Sequence, residues 1–194
     1  MIVFASNNKN KLEEVKAIFD NTLSPIVSLN DISLNINPIE DGKTYKENAH
    51  KKALAVMQAT NRPTLADDSG IEIEFFNNDP GVNSSTFLTS NSQYKKRNYK
   101  ILELMNDALN RKAVYVCTLL LYLPTGETYF TTGRLEGTIS YTPMGSNGFA
   151  YDEIFYVKQY NATLAQITLN EKNKISHRNI ALTKMKKILT SLGL

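Results

Sequence analysis

Apolar residues near the N-terminus change from a strand-like run to helical spacing. Ile2 to Ala5 form a continuous apolar run that stops at a polar cluster. Beyond that cluster, Leu12, Val15 and Ile18 recur at every third position, which is typical of an amphipathic helix. The pattern therefore predicts a strand, a polar loop and a helix, in that order.

A second helix is predicted from about residue 45 to residue 59. Thr44 and Glu47 form a T-x-x-E capping box, and small apolar residues such as Ala49 and Ala53 follow at helical spacing. Pro63 ends the helical stretch, because proline disfavours the helical conformation in the residue before it.

The segment TLADDSGIEIEF predicts two strand pieces that are joined by a polar turn. Apolar and acidic residues alternate from Ile71 to Phe75, which is typical of a half-buried strand. We expect the turn at residues 67–70, where Asp-Asp-Ser-Gly would place two carboxylates at the end of a strand.

Farther along the chain, residues 77–92 form a turn-rich stretch that is too long for a simple connection and favours a functional loop. A helix is predicted from about residue 93 to residue 108. The apolar run 113–123 and the strand-rich stretch 128–140 flank a Pro-Thr-Gly-Glu turn, so they predict a long antiparallel hairpin.

The C-terminal part predicts a strand, IFYV, and a final helix that Ser176 can cap. Hairpins combined with strand-helix alternation favour an α/β fold, with a mixed β-sheet flanked by helices. A chain of 194 residues that is 42% apolar can bury a substantial core. We therefore expect residues 1–194 to form a single domain.

Composition narrows the possible partners and location. The chain has 22 basic and 19 acidic residues, and a net charge of +3 does not by itself favour a nucleic acid or an anionic membrane as partner. The single cysteine, Cys117, excludes an intramolecular disulfide and is expected to be buried. We find no signal peptide and no run of roughly 18 apolar residues. These observations predict a soluble cytoplasmic protein, with no nucleic acid and no membrane as partner.

The first polar cluster is a candidate phosphate-binding loop. It lies between the predicted strand and helix, where backbone N–H groups and lysines can bind phosphate at a helix N-terminus. An ordinary capped helix start is the alternative, since the cluster lacks the glycines of a Walker loop. The residues of the cluster are Ser6, Asn7, Asn8, Lys9, Asn10 and Lys11.

Acidic pairs are candidate metal ligands. Glu40 and Asp41 precede the second helix, and Asp67 and Asp68 follow an apolar run. Successive side chains of a strand point to opposite faces, so the adjacent aspartates are expected to have different roles. Oxygen ligands without neighbouring His or Cys suit Mg²⁺, which takes one or two carboxylates together with substrate phosphates. A polar turn is the alternative for residues 67–70.

Two further clusters are candidates for binding a base. In Gly148-Phe149-Ala150-Tyr151-Asp152, an aromatic ring beside a carboxylate can stack on a base and bind its edge, although core packing of the aromatic rings is the alternative. Lys172 and Ser176-His177-Arg178 place cations at the start of the last helix, where the helix dipole is itself positive. A surface position is the alternative for His177 and Arg178.

Taken in order, six segments resemble the inosine triphosphate pyrophosphatase (Ham1-like) family, whose members remove noncanonical purine nucleotides. They lie between residues 5 and 182. The segments are ASNNKNKLEEV, EDGKTYKENAHKKA, ADDSGIEIE, PGVNSS, GFAYDEIF and EKNKISHRNIAL.

This resemblance implies an elongated α/β fold with a mixed sheet, two lobes with a substrate cleft between them, and a homodimer. It also implies Mg²⁺-dependent hydrolysis of purine nucleoside triphosphates such as ITP, dITP and XTP to the monophosphate and pyrophosphate. Cleavage between the α and β phosphates needs a water molecule, a base near it and cations at the leaving group.

The resemblance also assigns roles to residues. Residues 6–11 and Lys52 would bind the triphosphate, Glu40 and Asp68 would hold Mg²⁺, and Asp68 would act as the base. Ser69 would contact the substrate. The base and sugar would be bound by Phe149, Ala150, Tyr151, Asp152, Lys172, His177 and Arg178.

Three positions depart from the family pattern. GFAYDE stands in place of GFGYDP, so that Ala150 and Glu153 replace glycine and proline, and Thr86 replaces an arginine. Alanine at position 150 would matter if the backbone there has a positive φ. These changes affect the predicted base pocket and a long loop.

Two other functions stay open. A Maf-like pyrophosphatase acting on other modified nucleotides would share the first strand, loop and helix, but GFAYD and the SHR helix start argue against it. A nucleotide-binding protein with little turnover would leave the acidic and basic residues without a purpose.

Overall fold

Five α-helices and seven strands make up the regular structure of residues 1–19, 24–88 and 93–194, which the computed structural model describes. The strands are β1 (Ile2–Phe4), β2 (Ile26–Ser28), β3 (Thr64–Ile73), β4 (Lys112–Tyr122), β5 (Thr128–Ile139), β6 (Phe155–Val157) and β7 (Ala162–Thr163). The helices are α1 (Lys9–Phe19), α2 (Tyr45–Thr60), α3 (Tyr94–Leu104), α4 (Leu169–Ile175) and α5 (His177–Ser191).

The strands form one sheet in the order β2-β1-β3-β4-β5-β6-β7. β1 pairs in parallel with β2 and β3, whereas β6 pairs antiparallel with β5 and β7. β4 and β5 are neighbours joined by a tight connection, in which the N–H of Leu123 donates to the carbonyl of Glu127. The predicted mixed sheet, its flanking helices and the hairpin are confirmed.

The chain divides into two compact units. The first contains residues 1–68, 117–133 and 177–194. The second contains residues 69–116 and 134–176.

In the first unit, the strand residues alternate between two apolar layers. Ile2, Phe4 and Leu65 pack in one cluster with residues of α1 and α5, such as Val15 and Leu182. The alternate residues Val3, Ala5 and Ala66 pack in a second cluster. Their partners in that cluster are Ala49, Ala53 and Val56 of α2. Burying a Val, Leu, Ile or Phe side chain contributes about 1.5–3 kcal/mol, so both faces of the sheet hold this unit together.

The second unit has its own apolar core. Ile71 and Ile73 of β3 pack with Ile101 of α3. Tyr115 of β4 and Phe155 of β6 lie in the same cluster, with ring centroids 4.6 Å apart.

The predicted turn at residues 67–70 is wrong, because β3 is continuous from Thr64 to Ile73. Gly70 serves close packing within the strand: a Cβ there would lie 2.2 Å from the carbonyl oxygen of Gly81 and 2.4 Å from Oγ of Ser84. Ser84 Oγ also accepts a hydrogen bond from the N–H of Ile71. The two aspartates therefore lie within the strand rather than at its end.

The helices also differ from the prediction in two respects. α3 ends at Leu104, and a turn follows in which the N–H of Ala108 donates to the carbonyl of Met105. The short helix α4 was not predicted; Thr168 and Glu171 form a capping box at its start. Ser176 ends α4 and precedes α5. In the predicted loop 77–92, residues 81–83 form a 3₁₀ turn, and residues 89–92 lie outside the described residues.

Within the described ranges, no helix is long and apolar enough to cross a bilayer.

Candidate active site

β3 directs its two adjacent aspartates to opposite faces of the sheet in the first unit. Leu65 packs in the layer of α1 and α5, and Ala66 packs in the layer of α2. Because side chains alternate along a strand, Asp67 faces the first layer and Asp68 faces the second. The expectation that the two carboxylates have separate roles agrees with their different contacts.

Asp67 lies in a buried network of charges. Its Oδ2 is 2.9 Å from Nζ of Lys11 and 3.4 Å from Nε of Arg178. The other end of the Arg178 guanidinium pairs with Glu14 of α1. Burial alone would raise the pKa of Asp67, but Lys11, Arg178 and Lys52 outweigh it and hold that pKa well below its usual range. Asp67 is therefore ionised at neutral pH, and it contacts two cations.

Asp68 lies in a different environment on the other face. Nδ2 of Asn48 donates to its Oδ2 at 3.1 Å, and Nζ of Lys52 is 3.5 Å from its Oδ1. Burial raises the pKa of Asp68, against the lowering effect of Lys52 and Asn48. A carboxylate with a raised pKa accepts a proton more readily than an ordinary aspartate, as a general base must.

Lys52 joins Asp68 to Glu40. Its Nζ is 2.7 Å from Oε2 of Glu40, and the lysine side chain is itself almost fully buried. Burial would lower the pKa of Lys52, but Asp67, Asp68 and Glu40 together raise it, so the ammonium group stays charged.

Asn48 is a site residue that the sequence patterns did not reveal. It lies one helical turn before Lys52 on α2, and its Oδ1 accepts a hydrogen bond of 2.7 Å from the N–H of Gly42. The same side chain thus holds both Asp68 and the segment after Glu40. Its spacing from Lys52 by four positions was the only sequence signal.

The donor atoms here fit a hard divalent cation. Glu40 and Asp68 both offer carboxylate oxygens. Nζ of Lys52 lies 2.7 Å from an oxygen of Glu40 and 3.5 Å from an oxygen of Asp68. Among the described residues, no group of three or more His, Cys, Asp or Glu side chains is placed to hold a metal. Mg²⁺ commonly takes one or two carboxylates and completes its shell with water and phosphate oxygens, so two carboxylates suffice.

The polar cluster 6–11 forms the start of α1. Oδ1 of Asn8 accepts hydrogen bonds from the N–H groups of Asn10 and Lys11, at 3.0 and 3.3 Å, and Ser6 Oγ accepts one from the N–H of Asn8. The capped helix start, which is the alternative to a phosphate-binding loop, is therefore present. Asn7, Asn8, Lys9 and Asn10 are exposed, whereas Ser6 and Lys11 are half-buried.

In the second unit, Asp152 organises the turn formed by residues 148–152. Its Oδ2 accepts a hydrogen bond of 2.9 Å from the N–H of Phe149 and pairs with Nζ of Lys172 at 2.8 Å. Gly148 and Ala150 both have a positive φ, of 73° and 57°. Alanine therefore replaces glycine at a position with a positive φ, which is the case in which this departure matters.

The two aromatic residues of this turn differ in exposure. Tyr151 is buried, and its hydroxyl donates to the carbonyl of Ser84 at 2.6 Å. Burial raises the pKa of Tyr151 to about 12, so this hydroxyl stays protonated and donates. Phe149 is half-buried, with Nζ of Lys172 4.8 Å from its ring centroid. Core packing thus accounts for Tyr151, whereas Phe149 keeps part of its surface accessible.

The remaining predicted site residues are placed as follows. Lys172 is buried on α4, and His177 is buried at the start of α5. Arg178 is 2% exposed, which excludes a surface position for it. Ser69 is half-buried in β3. Cys117 is buried, as expected, and burial raises the pKa of its thiol to about 12.

The structure links four of the predicted phosphate-end residues within the first unit: Lys11, Glu40, Lys52 and Asp68. Lys11 contacts Asp67, whose neighbour Asp68 contacts Lys52, which in turn pairs with Glu40. Sequence reasoning did not identify the partner of Arg178, Glu14, which lies 164 positions away along the chain.

Comparison with known proteins gives concordant matches. Residues 2–188 match the model of the Ham1 family. The chain is 37% identical over 193 residues to a dITP/XTP pyrophosphatase of Clostridium tetani, covering 98% of this chain and 96% of that protein. A dITP/XTP pyrophosphatase of Geobacter sulfurreducens is 38% identical over 187 residues, with 95% and 94% of the two chains covered.

Solved structures match equally well. The Ham1 protein of Staphylococcus aureus superimposes with a TM-score of 0.89 at 33% identity, covering 98% of each chain. A HAM1 protein from Coxiella burnetii gives a TM-score of 0.89 at 36% identity, again covering 98% of each chain. The fold match therefore extends over nearly the whole length of both proteins.

Proposed function

This chain belongs to the Ham1 family, and we propose that it is a hydrolase that cleaves noncanonical purine nucleoside triphosphates to the monophosphate and pyrophosphate. ITP, dITP and XTP are the proposed substrates, which accords with the names of the relatives from Clostridium tetani and Geobacter sulfurreducens. The observation that carries the proposal is the cluster of Glu40, Asn48, Lys52 and Asp68 in the first unit, in which all but Glu40 are buried.

Residues of the first unit are proposed to bind the triphosphate. The N-terminus of α1, with residues 6–11, offers backbone N–H groups and lysines for phosphate oxygens. Lys11 is held at Asp67, and Lys52 is held between Glu40 and Asp68, so both ammonium groups are already positioned. We also assign Ser69, the next residue of β3, to substrate contact.

Glu40 and Asp68 are proposed to hold Mg²⁺, which would neutralise charge on the phosphate oxygens during cleavage. Asp68 is also proposed to accept the proton of the attacking water. The ammonium group of Lys52 would balance charge that develops on the leaving pyrophosphate.

The base and sugar are proposed to be recognised around the turn that carries Phe149, by Phe149, Ala150, Asp152, Lys172 and His177. Tyr151 and Arg178 are proposed to support this end of the site from buried positions, through their contacts with Ser84 and with Glu14 and Asp67. Phe149 presents a half-buried ring for stacking, and Asp152 and Lys172 hold the turn that carries it. A polar site built for a 6-oxo purine rejects a 6-amino purine, because buried groups are then left without hydrogen bonds.

A panel of nucleoside triphosphates tests this function. Purified protein with Mg²⁺ should release pyrophosphate from ITP, dITP or XTP, with kcat/KM for ATP lower by about 100-fold or more. Chelation of the metal should abolish the release. Orthophosphate as the primary product would overturn the proposed reaction, a preference for UTP or TTP would favour a Maf-like activity, and tight binding without turnover would indicate a binding protein.

Three further statements are proposals, of which the first rests on the resemblance to the family and the other two rest mainly on the sequence. We propose that the protein is a homodimer, that it acts in the cytoplasm on the nucleotide pool, and that residues 1–194 work as a single catalytic domain. Neither nucleic acid nor a membrane has a role in this proposal.

A further inference from the structure

Ala150 adopts a backbone conformation that alanine does not favour. Its φ is +57°, in the left-handed region where a Cβ is crowded by the following carbonyl. Glycine occupies this region readily, whereas alanine requires support from its surroundings. Something near residue 150 must therefore hold the turn in place.

Asn98 of α3 provides that support. Its side chain is fully buried, and its Nδ2 donates to two acceptors, the carbonyl of Ala150 at 2.8 Å and Oε1 of Glu153 at 2.9 Å. A carbonyl that is held by a buried donor cannot rotate freely with its peptide group. Glu153 in turn holds the second hydrogen of the same amide, which fixes the orientation of Asn98.

The neighbouring residue on α3 holds the next position of the turn. Arg97 is buried with its guanidinium 4.0 Å from the centroid of the Tyr151 ring, and its Nη1 donates to the carbonyl of Ser84 at 2.9 Å. The hydroxyl of Tyr151 donates to that same carbonyl. One helix therefore anchors two consecutive residues of the turn that carries Phe149.

We propose that Asn98 and Glu153 are positioning residues for base selection, acting as a clamp that keeps Ala150 left-handed and thereby sets the orientation of Phe149. This inference rests on the proposed function, in which the turn of residues 148–152 recognises the base. The clamp acts on the nucleotide through the backbone, and the phosphate-end residues are not part of it.

The test is a double-mutant cycle between positions 98 and 150. Asn98→Ala should reduce the ratio of kcat/KM for ITP over ATP by about tenfold, which is the size of effect expected when the carbonyl of Ala150 loses its buried donor. The reduction should appear mainly as a higher KM for ITP, because the catalytic carboxylates are unchanged. In an Ala150→Gly background the same Asn98→Ala change should cost at most about threefold, since glycine adopts the required φ without a clamp.

The second arm uses Glu153, which is only half-buried, so its substitution disturbs packing less than that of the fully buried Asn98. Glu153→Gln keeps an oxygen acceptor and should retain the selectivity of the wild type, whereas Glu153→Ala should reduce it about threefold. Glu103→Ala, an exposed carboxylate on the same helix, is the matched control and should change neither selectivity nor Tm.

Equal losses from Asn98→Ala in the wild-type and Ala150→Gly backgrounds would overturn the clamp, as would equal selectivity of Glu153→Gln and Glu153→Ala. If the wild type itself shows no preference for ITP over ATP, the proposed function and the role in base selection both fail. The clamp is then decided by Tm alone: a smaller loss of Tm from Asn98→Ala in the Ala150→Gly background supports it, and an equal loss refutes it.

Discussion

Two adjacent aspartates of β3 have opposite electrostatic environments. Asp67 contacts Lys11 and Arg178, which keep it ionised, whereas Asp68 has a raised pKa on the other face of the sheet. The alternation of side chains along a strand separates them, so that one carboxylate can hold cations permanently while its neighbour can exchange a proton or a metal. This separation is the basis of the proposed mechanism.

Asp67 is expected to contribute stability that depends on pH. Burial would raise its pKa, but its cationic partners lower it below the unfolded value of about 3.9, so the contribution is fully present above about pH 5 and is lost as the pH falls through the folded pKa. Asp67→Asn removes the anion that contacts the buried Arg178 and the half-buried Lys11, and should lower the free energy of unfolding by about 3 kcal/mol at pH 7. Chemical denaturation measures this difference.

The same comparison at acid pH provides the control. The difference in the free energy of unfolding between wild type and Asp67→Asn should become smaller below about pH 4. In that range the carboxylate of the unfolded wild type binds protons more readily than that of the folded protein. A difference that stays constant from pH 7 to about pH 3 would show that Asp67 is not the titrating anion that we describe.

For single residues, local spacing predicted part of the site. The alternation rule separated Asp67 from Asp68, and resemblance assigned Glu40, Lys52 and Asp68 to one end of the substrate. The pairing of Arg178 with Glu14 was not predictable, because the two residues lie 164 positions apart and only the folded chain brings them together.

Helix α2 carries Asn48 and Lys52 toward Asp68 as one rigid element. The predicted capping box is confirmed in part: Oγ1 of Thr44 accepts from the N–H of Glu47 at 3.1 Å. The Glu47 carboxylate accepts from the N–H of Lys43 at 2.7 Å, one residue earlier than the usual pattern. The cap therefore orders the segment that leads from Glu40 into the helix.

Loss of this cap should destabilise the protein. Thr44→Ala is expected to lower the free energy of unfolding by about 1 kcal/mol, because the N–H of Glu47 loses its acceptor. Thermal or chemical denaturation measures the change. Gln58→Ala, at an exposed position of the same helix, should leave stability within about 0.5 kcal/mol of the wild type. An equal effect of both substitutions would contradict the role of the cap.

β3 shows why element boundaries can mislead. Four polar or small residues in a row resemble a turn, yet Asp67 and Asp68 are tolerated inside the strand because cations and an amide balance them. Gly70 is required by the close approach of Gly81 and Ser84 rather than by a turn. Such compensation comes from distant segments, which local sequence patterns do not reveal.

Across the whole molecule, hydrophobic patterning predicted the mixed sheet and its flanking helices. It did not predict that each of the two compact units has a core of its own, because apolar residues that are adjacent in sequence contribute to different clusters. Position 150 shows the same limit: its positive φ and its contact with Asn98 depend on helix α3, which lies 52 positions earlier in the chain.

The proposed reaction depends most on Asp68, as metal ligand and as base. Mg²⁺-dependent pyrophosphate release from ITP by Asp68→Asn, measured beside the wild type, tests this dependence. We expect turnover to fall by about 1,000-fold or more, since the variant loses both the base and a metal ligand.

Tm should not fall, because the amide removes a buried carboxylate that is costly to ionise. Asp107→Asn, at an exposed position, is the matched control and should behave like the wild type. Near-normal pyrophosphate release by Asp68→Asn would show that Asp68 has neither role.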